Sequence, residues 1–279
     1  MVSAAGDVLY TAENKQQQVL VVDESGAAHP VATTTAIECI DADPTGAAIA
    51  FTDYDPTLGG TEVVFQDLVA GSRDVVGPGR CPRFAHAGGR VAYLRGDGDR
   101  ERLWLQDLRP GASRALGGPD LTPIAAPAWS PDDSWIAVAT TAGMQRVEVA
   151  SGRSTILARG SFGNAEISPD GTAVAAARDG VVERIDAGGA GTTSTHIPAS
   201  YRARPTWTAT GITTLQDERH APVLVTYTPA GIEMSRRLVP RNADASTWGT
   251  FEAVPQPTGW VVGQTRYESD LYLLSSCLK

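Results

Sequence analysis

Asp41, Glu166 and Glu252 are carboxylates at matching places ahead of short apolar strands, and His220 closes the string Gln216-Asp217-Glu218-Arg219-His220. Converging carboxylates and a histidine can move protons, so these four residues are the candidates for acid–base work. Arg83 and Arg204 supply cations at neighbouring positions of the same frame, and Trp248, Tyr267 and Tyr54 supply aromatic rings beside turns. This second set would hold a polar ligand and form an apolar platform for it. Other site chemistry finds little support. No Gly-x-Ser-x-Gly elbow occurs, and the spacing assembles no Ser-His-Asp set. Asp97-Gly98-Asp99 lacks the remaining ligands of an EF-hand loop. The three cysteines, Cys39, Cys81 and Cys277, form neither a zinc pattern nor a Cys-x-x-Cys pair. Neither a metal nor a cofactor is expected.

The elements that must position these residues come from a repeat. Ser130-Pro131-Asp132-Asp133-Ser134-Trp135-Ile136-Ala137-Val138 recurs as Ser168-Pro169-Asp170-Gly171-Thr172-Ala173-Val174-Ala175-Ala176. Asp43-Pro44-Thr45-Gly46-Ala47-Ala48-Ile49-Ala50-Phe51 is a weaker copy, and His86 takes the Pro slot of another. The apolar runs are short, rich in Val, Ile, Tyr and Trp, and bounded by Gly, Pro, Asp and Ser, which is the signature of strands. Pro presets the turn and Asp or Gly accepts its later position. Each unit of about 40 residues reads as four strands, A to D, and such a period marks an array of small β units.

Units fall at 7–35, 37–79, 80–118, 126–160, 163–200, 203–240 and 247–276. The first is read as Val8–Ala12, Val19–Asp23 and His29–Ala32, without an A strand; the last lacks a clear D strand. The fold class is therefore all-β, a single domain over 1–279. Its architecture is a β-propeller of seven four-stranded blades, with six as the alternative if the two chain ends share a blade. Either way the ends must meet, because an open ring exposes unpaired strand edges.

The Ser-Pro-Asp-Gly turn before a short strand, followed by a strand such as Asp270-Leu271-Tyr272-Leu273-Leu274, resembles the TolB-like (PD40, WD40-like) β-propeller family. Ala128-Trp129-Ser130-Pro131-Asp132-Asp133-Ser134-Trp135-Ile136-Ala137-Val138 carries the likeness best. The resemblance implies a central channel, often an extracytoplasmic setting, and binding of proteins, peptides or sugars. The family's signature residues are structural, so it lends no catalytic residue to this chain.

In a four-stranded blade the B–C loops and D–A connections share one face, and loops on a rigid scaffold tend to carry function. That face is favoured here. Aligned on their A strands, the units place Asp41, Arg83, Ala128, Glu166, Thr206 and Glu252 at one level, with Cys39, Cys81, Ala126, Asn164, Arg204 and Thr250 two residues earlier. Both levels should ring the channel mouth, either as a mixed-charge ligand site or as ion pairs between blades. Trp248 is placed on the connection into the last unit and Tyr267 in its B–C loop. His86 belongs to the opposite face. Cys39 and Cys81 occupy equivalent positions of adjacent units; two buried free thiols are expected, with a disulfide as the alternative.

A net charge of −9 argues against a nucleic-acid partner, since phosphate binding draws on clustered Lys and Arg. No apolar run is long enough to span a membrane. The start, Met1-Val2-Ser3-Ala4-Ala5-Gly6, shows no signal peptide, which leaves the compartment open between cytoplasmic and, by family resemblance, periplasmic or extracellular. The reading is a monomeric, non-catalytic propeller that binds a protein, peptide or small polar ligand at the channel mouth. The alternative is a metal-independent lyase, cyclase or isomerase at the same mouth, with Asp41, Glu166, Glu252 and His220 as its acid–base set.

Overall fold

A computed structural model describes residues 8–23, 27–34, 39–57, 59–97, 100–108, 113–199, 204–218, 221–239, 248–256 and 259–274; within these, the side chains of 8–16, 22–23, 33–34, 97, 217–218, 221, 248–253, 256, 259 and 265–274 are not described. The described strands form six four-stranded antiparallel sheets, each a blade. Blade 2 comprises Ile40–Ala42, Ala48–Asp55, Gly60–Asp67 and Arg73–Pro78. Blade 3 comprises Arg80–Phe84, Arg90–Asp97, Arg100–Asp107 and Arg114–Leu116. Blade 4 follows with Ala128–Trp129, Trp135–Thr140, Gly143–Glu148 and Ser154–Ala158, and blade 5 with Ala165–Ile167, Ala173–Arg178, Val181–Asp186 and Thr192–Pro198. Blade 6 comprises Thr206–Thr208, Gly211–Glu218, Ala221–Tyr227 and Glu233–Leu238. Blade 1 is made from both ends of the chain: Trp248–Gln256 and Gly259–Leu274 are its A and B strands, Val8–Asp23 and Ala28–Thr34 its C and D strands.

The count of six corrects the expected seven. Two stretches expected to hold loops are continuous strand. Glu13–Gln18 joins the two short strands expected near the start into one of 16 residues, and Thr265–Asp270 does the same in Gly259–Leu274. Neither stretch contains Gly or Pro to break the backbone. The two long strands pair without a register shift from Val8 opposite Leu274 to Asp23 opposite Gly259. The expected first and seventh blades are thus the two halves of a single blade, and Tyr267 lies in a strand opposite Lys15 instead of in a loop. Trp248 opens the A strand of the same blade and does not sit on its approach.

Apolar packing lies between blades. Each adjacent pair encloses its own cluster: Ile49, Phe51 and Val254 between blades 1 and 2, Val63, Phe84 and Tyr93 between 2 and 3, Leu103, Trp129 and Ile136 between 3 and 4. Ala137, Phe162 and Val174 fill the space between blades 4 and 5, Val182, Ile212 and Val225 that between 5 and 6, and Leu20, Leu215 and Val262 that between 6 and 1. Full burial of side chains such as Ile136 contributes roughly 1.5–3 kcal/mol apiece. A blade buries both faces only when both neighbours are present.

The recurring turn is a hydrogen-bonded unit. Ser130 Oγ donates to Asp132 Oδ1 at 2.7 Å and accepts from Trp135 N at 3.0 Å, while Ser134 N donates to the same carboxylate. Ser168, Asp170 and Thr172 repeat the arrangement in blade 5. These donors, led by the serine hydroxyls, hold the carboxyls of Asp132 and Asp170 down at about 2. The position after the first aspartate needs a left-handed backbone. Gly171 meets it at φ 72, and Asp133 meets it at φ 57. Asp133 uses its side chain as well: its carboxylate accepts from His86 N at 2.7 Å and Ala87 N at 2.8 Å, fastening the turn of blade 4 to that of blade 3.

A carboxyl held below its unfolded value stabilises the fold above about pH 4 and loses that effect as pH falls towards 2. An Asp132→Asn/Asp170→Asn variant should therefore be less stable than the parent at pH 6. The gap in urea midpoint should narrow between pH 4 and pH 2; a gap independent of pH would refute this role for the carboxylates.

Candidate functional site

The A strands line the channel, and the expected ring of polar residues is there, engaged between blades. Asp41 and Glu166 are buried, at 5% and 7% exposure, and Arg204 lies between them. Its Nη1 donates to Asp41 Oδ1 at 2.7 Å, and its Nε donates to Glu166 Oε2 at 2.8 Å, with Nη2 on the same Glu166 oxygen. Glu166 belongs to the neighbouring blade 5, whereas Asp41 belongs to blade 2, beyond blade 1. The guanidinium therefore reaches across the channel. Its planar fork suits two carboxylates at once, and charge-assisted bonds of this kind are among the stronger ones.

The remaining bonds continue this stitching around the ring. Asp41 Oδ2 accepts from Phe84 N of blade 3 at 2.8 Å. Arg83, 1% exposed, donates from Nη1 to Ile40 O of blade 2 at 2.7 Å and to Pro82 O at 3.0 Å. Trp129 Nε1 of blade 4 donates to Arg83 O at 3.0 Å. Ala126 N donates to Asn164 Oδ1 at 3.1 Å, linking the approaches to blades 4 and 5.

Cys39 and Cys81 form a disulfide, with Cα atoms 4.8 Å apart, and Ala126 packs against it. Free thiols were the expectation, on the ground that neighbouring A strands stand too far apart. A register shift between Arg80 and Arg83, with Cys81 at φ 52, brings the two backbones within the range a disulfide spans. Thr52 Oγ1 accepts from Cys81 N at 2.8 Å and holds the shifted segment.

A cavity of about 290 Å³ occupies the channel. Asp41, Glu166, Arg83 and Arg204 line it at one end, and Pro44, His86 and Thr208 from the A–B turn side at the other. Among the described residues, no B–C loop residue contributes to its wall. Tyr54 stands apart, 42% exposed, at the end of a B strand. Its neighbour Asp53 is buried and paired with Arg73. Thus Asp41, Glu166, Arg83 and Arg204 come together and Tyr54 does not join them. His220 lies outside the described residues, as do the side chains of Glu252, Trp248 and Tyr267. His86 was missed as a channel residue. It is exposed in its turn, with Nε2 3.3 Å from Trp129 O. The available signal was its departure from the Pro that the better copies carry. Among the described residues, no group of His, Cys, Asp or Glu gathers to hold a metal ion.

The ion cluster and the disulfide each generate a test. Arg204→Leu leaves two buried carboxylates without their counter-ion and should cost about 3–5 kcal/mol in denaturant unfolding. Adding Asp41→Asn and Glu166→Gln should restore part of that loss; no recovery would mean that the three residues are energetically independent. Alkylation of the denatured, unreduced chain should label one cysteine of the three, and labelling after reduction should reach all of them. Three labels without reductant would exclude the disulfide.

No protein-family model matches the chain, and no curated protein matches it in sequence. Solved structures do match in fold. TolB from Acinetobacter baumannii aligns with a TM-score of 0.67 at 17% identity, over 82% of this chain and 64% of the other, so this chain spans slightly less than two thirds of that protein. A TolB-type protein of Agrobacterium tumefaciens aligns with a TM-score of 0.63 at 14% identity, over 92% of this chain and 99% of that one. A chain of a nidogen/laminin complex aligns with a TM-score of 0.59 at 10% identity, over 79% of this chain and 92% of that one. The chain has the fold of the TolB-like β-propellers, built here from six blades.

Proposed function

We propose that this propeller is a non-catalytic binding module that takes a protein or peptide partner at its channel, entered from the A–B turn side. The observation that carries this reading is the state of the channel carboxylates. Asp41 and Glu166 are both bound by Arg204, and a cavity of about 290 Å³ remains beyond them. A lyase, cyclase or isomerase at the same place would need one of these carboxylates free to move a proton. Their commitment to Arg204 weighs against that alternative. A ring of interlocked blades with a pre-formed central cavity suits recognition, because a rigid surface loses little freedom on binding. The nidogen/laminin structure supplies a precedent for a propeller of this fold within a protein complex. The Cys39–Cys81 disulfide favours an oxidising compartment, where such bonds persist.

His86→Trp should obstruct the cavity from the A–B side, while Tyr54→Ala alters the opposite side. With quantitative capture from extracts of the source cells, the partner held by the parent should fall at least about tenfold with His86→Trp, the equivalent of 1.4 kcal/mol. Tyr54→Ala should hold it unchanged. Equal capture by His86→Trp, with its folding verified by thermal unfolding, would overturn the channel assignment.

A further inference from the structure

A larger cavity, about 680 Å³, lies between blades 5 and 6 on the A–B turn side. Its blade 5 wall includes Arg184. This residue pairs across the sheet with Ala175 on one side and Thr193 on the other. Ala175 and Val182 belong to the apolar layer against blade 6, so the alternation of the strand turns Arg184 to the same side, just beyond the end of that layer. Arg184 is exposed, and among the described residues no carboxylate pairs with it. The opposite wall includes Trp207, which packs on the edge of the same apolar layer and also borders the channel cavity.

The outer strand of blade 5 bulges beside this groove, as the C–D pairs of blades 1, 2, 4 and 6 also do. His196 has φ 58, a left-handed conformation that is uncommon outside glycine and tends to be retained where it serves a site. Thr195 anchors it by donating from Oγ1 to Val182 O at 2.6 Å. Gly231 of blade 6 passes under the same segment, where a Cβ would come 2.2 Å from Thr195 O. The bulge leaves Thr193, Ser194 and His196 exposed along the groove. Asp170 also borders it, with its carboxylate already engaged by Ser168 and Thr172.

We propose that this groove binds a carboxylate-bearing sugar, of the uronic-acid type, at a site separate from the channel. A flat indole offers an apolar platform to the C–H face of a pyranose. The exposed Thr193 hydroxyl, which shares its face with Arg184, can both donate to and accept from a sugar hydroxyl. An Arg184 fork matches the geometry of a carboxylate. A wide cavity with an apolar wall and a few convergent polar groups is the usual form of a small-molecule site.

The test is calorimetric titration of the full chain with a hyaluronan tetrasaccharide, which carries glucuronate, and with neutral chitotetraose. The carboxylated sugar should bind at least about tenfold more tightly than the neutral one, and Arg184→Gln should remove that preference. Arg184 is exposed, so the variant should fold; matching thermal unfolding confirms it. Partner capture through the channel should be unchanged in Arg184→Gln, which keeps the two sites distinguishable. No saturable binding at millimolar sugar, equal affinity for the two sugars, or a preference unmoved by Arg184→Gln would each overturn the proposal.

Discussion

Pairing between the first and last strands of the chain is what makes the other contacts possible. Val8–Asp23 and Gly259–Leu274 run antiparallel over their full 16 residues and so complete blade 1 from two ends of the sequence. Every blade buries apolar side chains on both neighbours, so an unclosed ring would leave two faces and their strand edges in water. Closure also sets the distance across the channel. Arg204 can reach Asp41 because blade 1 stands between blades 6 and 2 and holds them at a fixed separation.

Charge inside the channel follows from the same geometry. The A strands are the innermost elements, and their polar side chains have little water to solvate them. Burying a charge is costly unless it is paired and hydrogen-bonded. Asp41, Glu166 and Arg204 meet that requirement together, and Asp41 gains a further donor from Phe84 N. The sequence left this mixed-charge level open between a ligand site and ion pairs between blades; these three residues make bonds between blades. The free volume lies beyond them, towards the A–B turns, where His86 and Thr208 replace the regular motif residues.

Much of this was legible in the residues. The Ser-Pro-Asp turns, the short apolar strands and the period of about 40 residues identify a propeller, and alignment on the A strands places Asp41, Glu166 and Arg204 near one another. The blade count was not legible, because charged runs such as Thr265–Asp270 look like loops until a partner strand satisfies their backbone. The disulfide depends on a register shift at Arg80–Arg83, a feature of pairing with no local signal. Long polar B–C loops drew notice in the sequence, whereas the channel cavity is bordered by turn residues of the other side.

Hydrogen exchange resolved by peptide tests the ring closure most directly. If the first and last strands complete one blade, amides in 8–23 and 259–274 will exchange slowly, with the same opening free energy, and that value will fall equally for both when either strand is mutated. Fast exchange over 8–23 while 259–274 stays protected would contradict closure by the chain ends and, with it, the six-bladed ring.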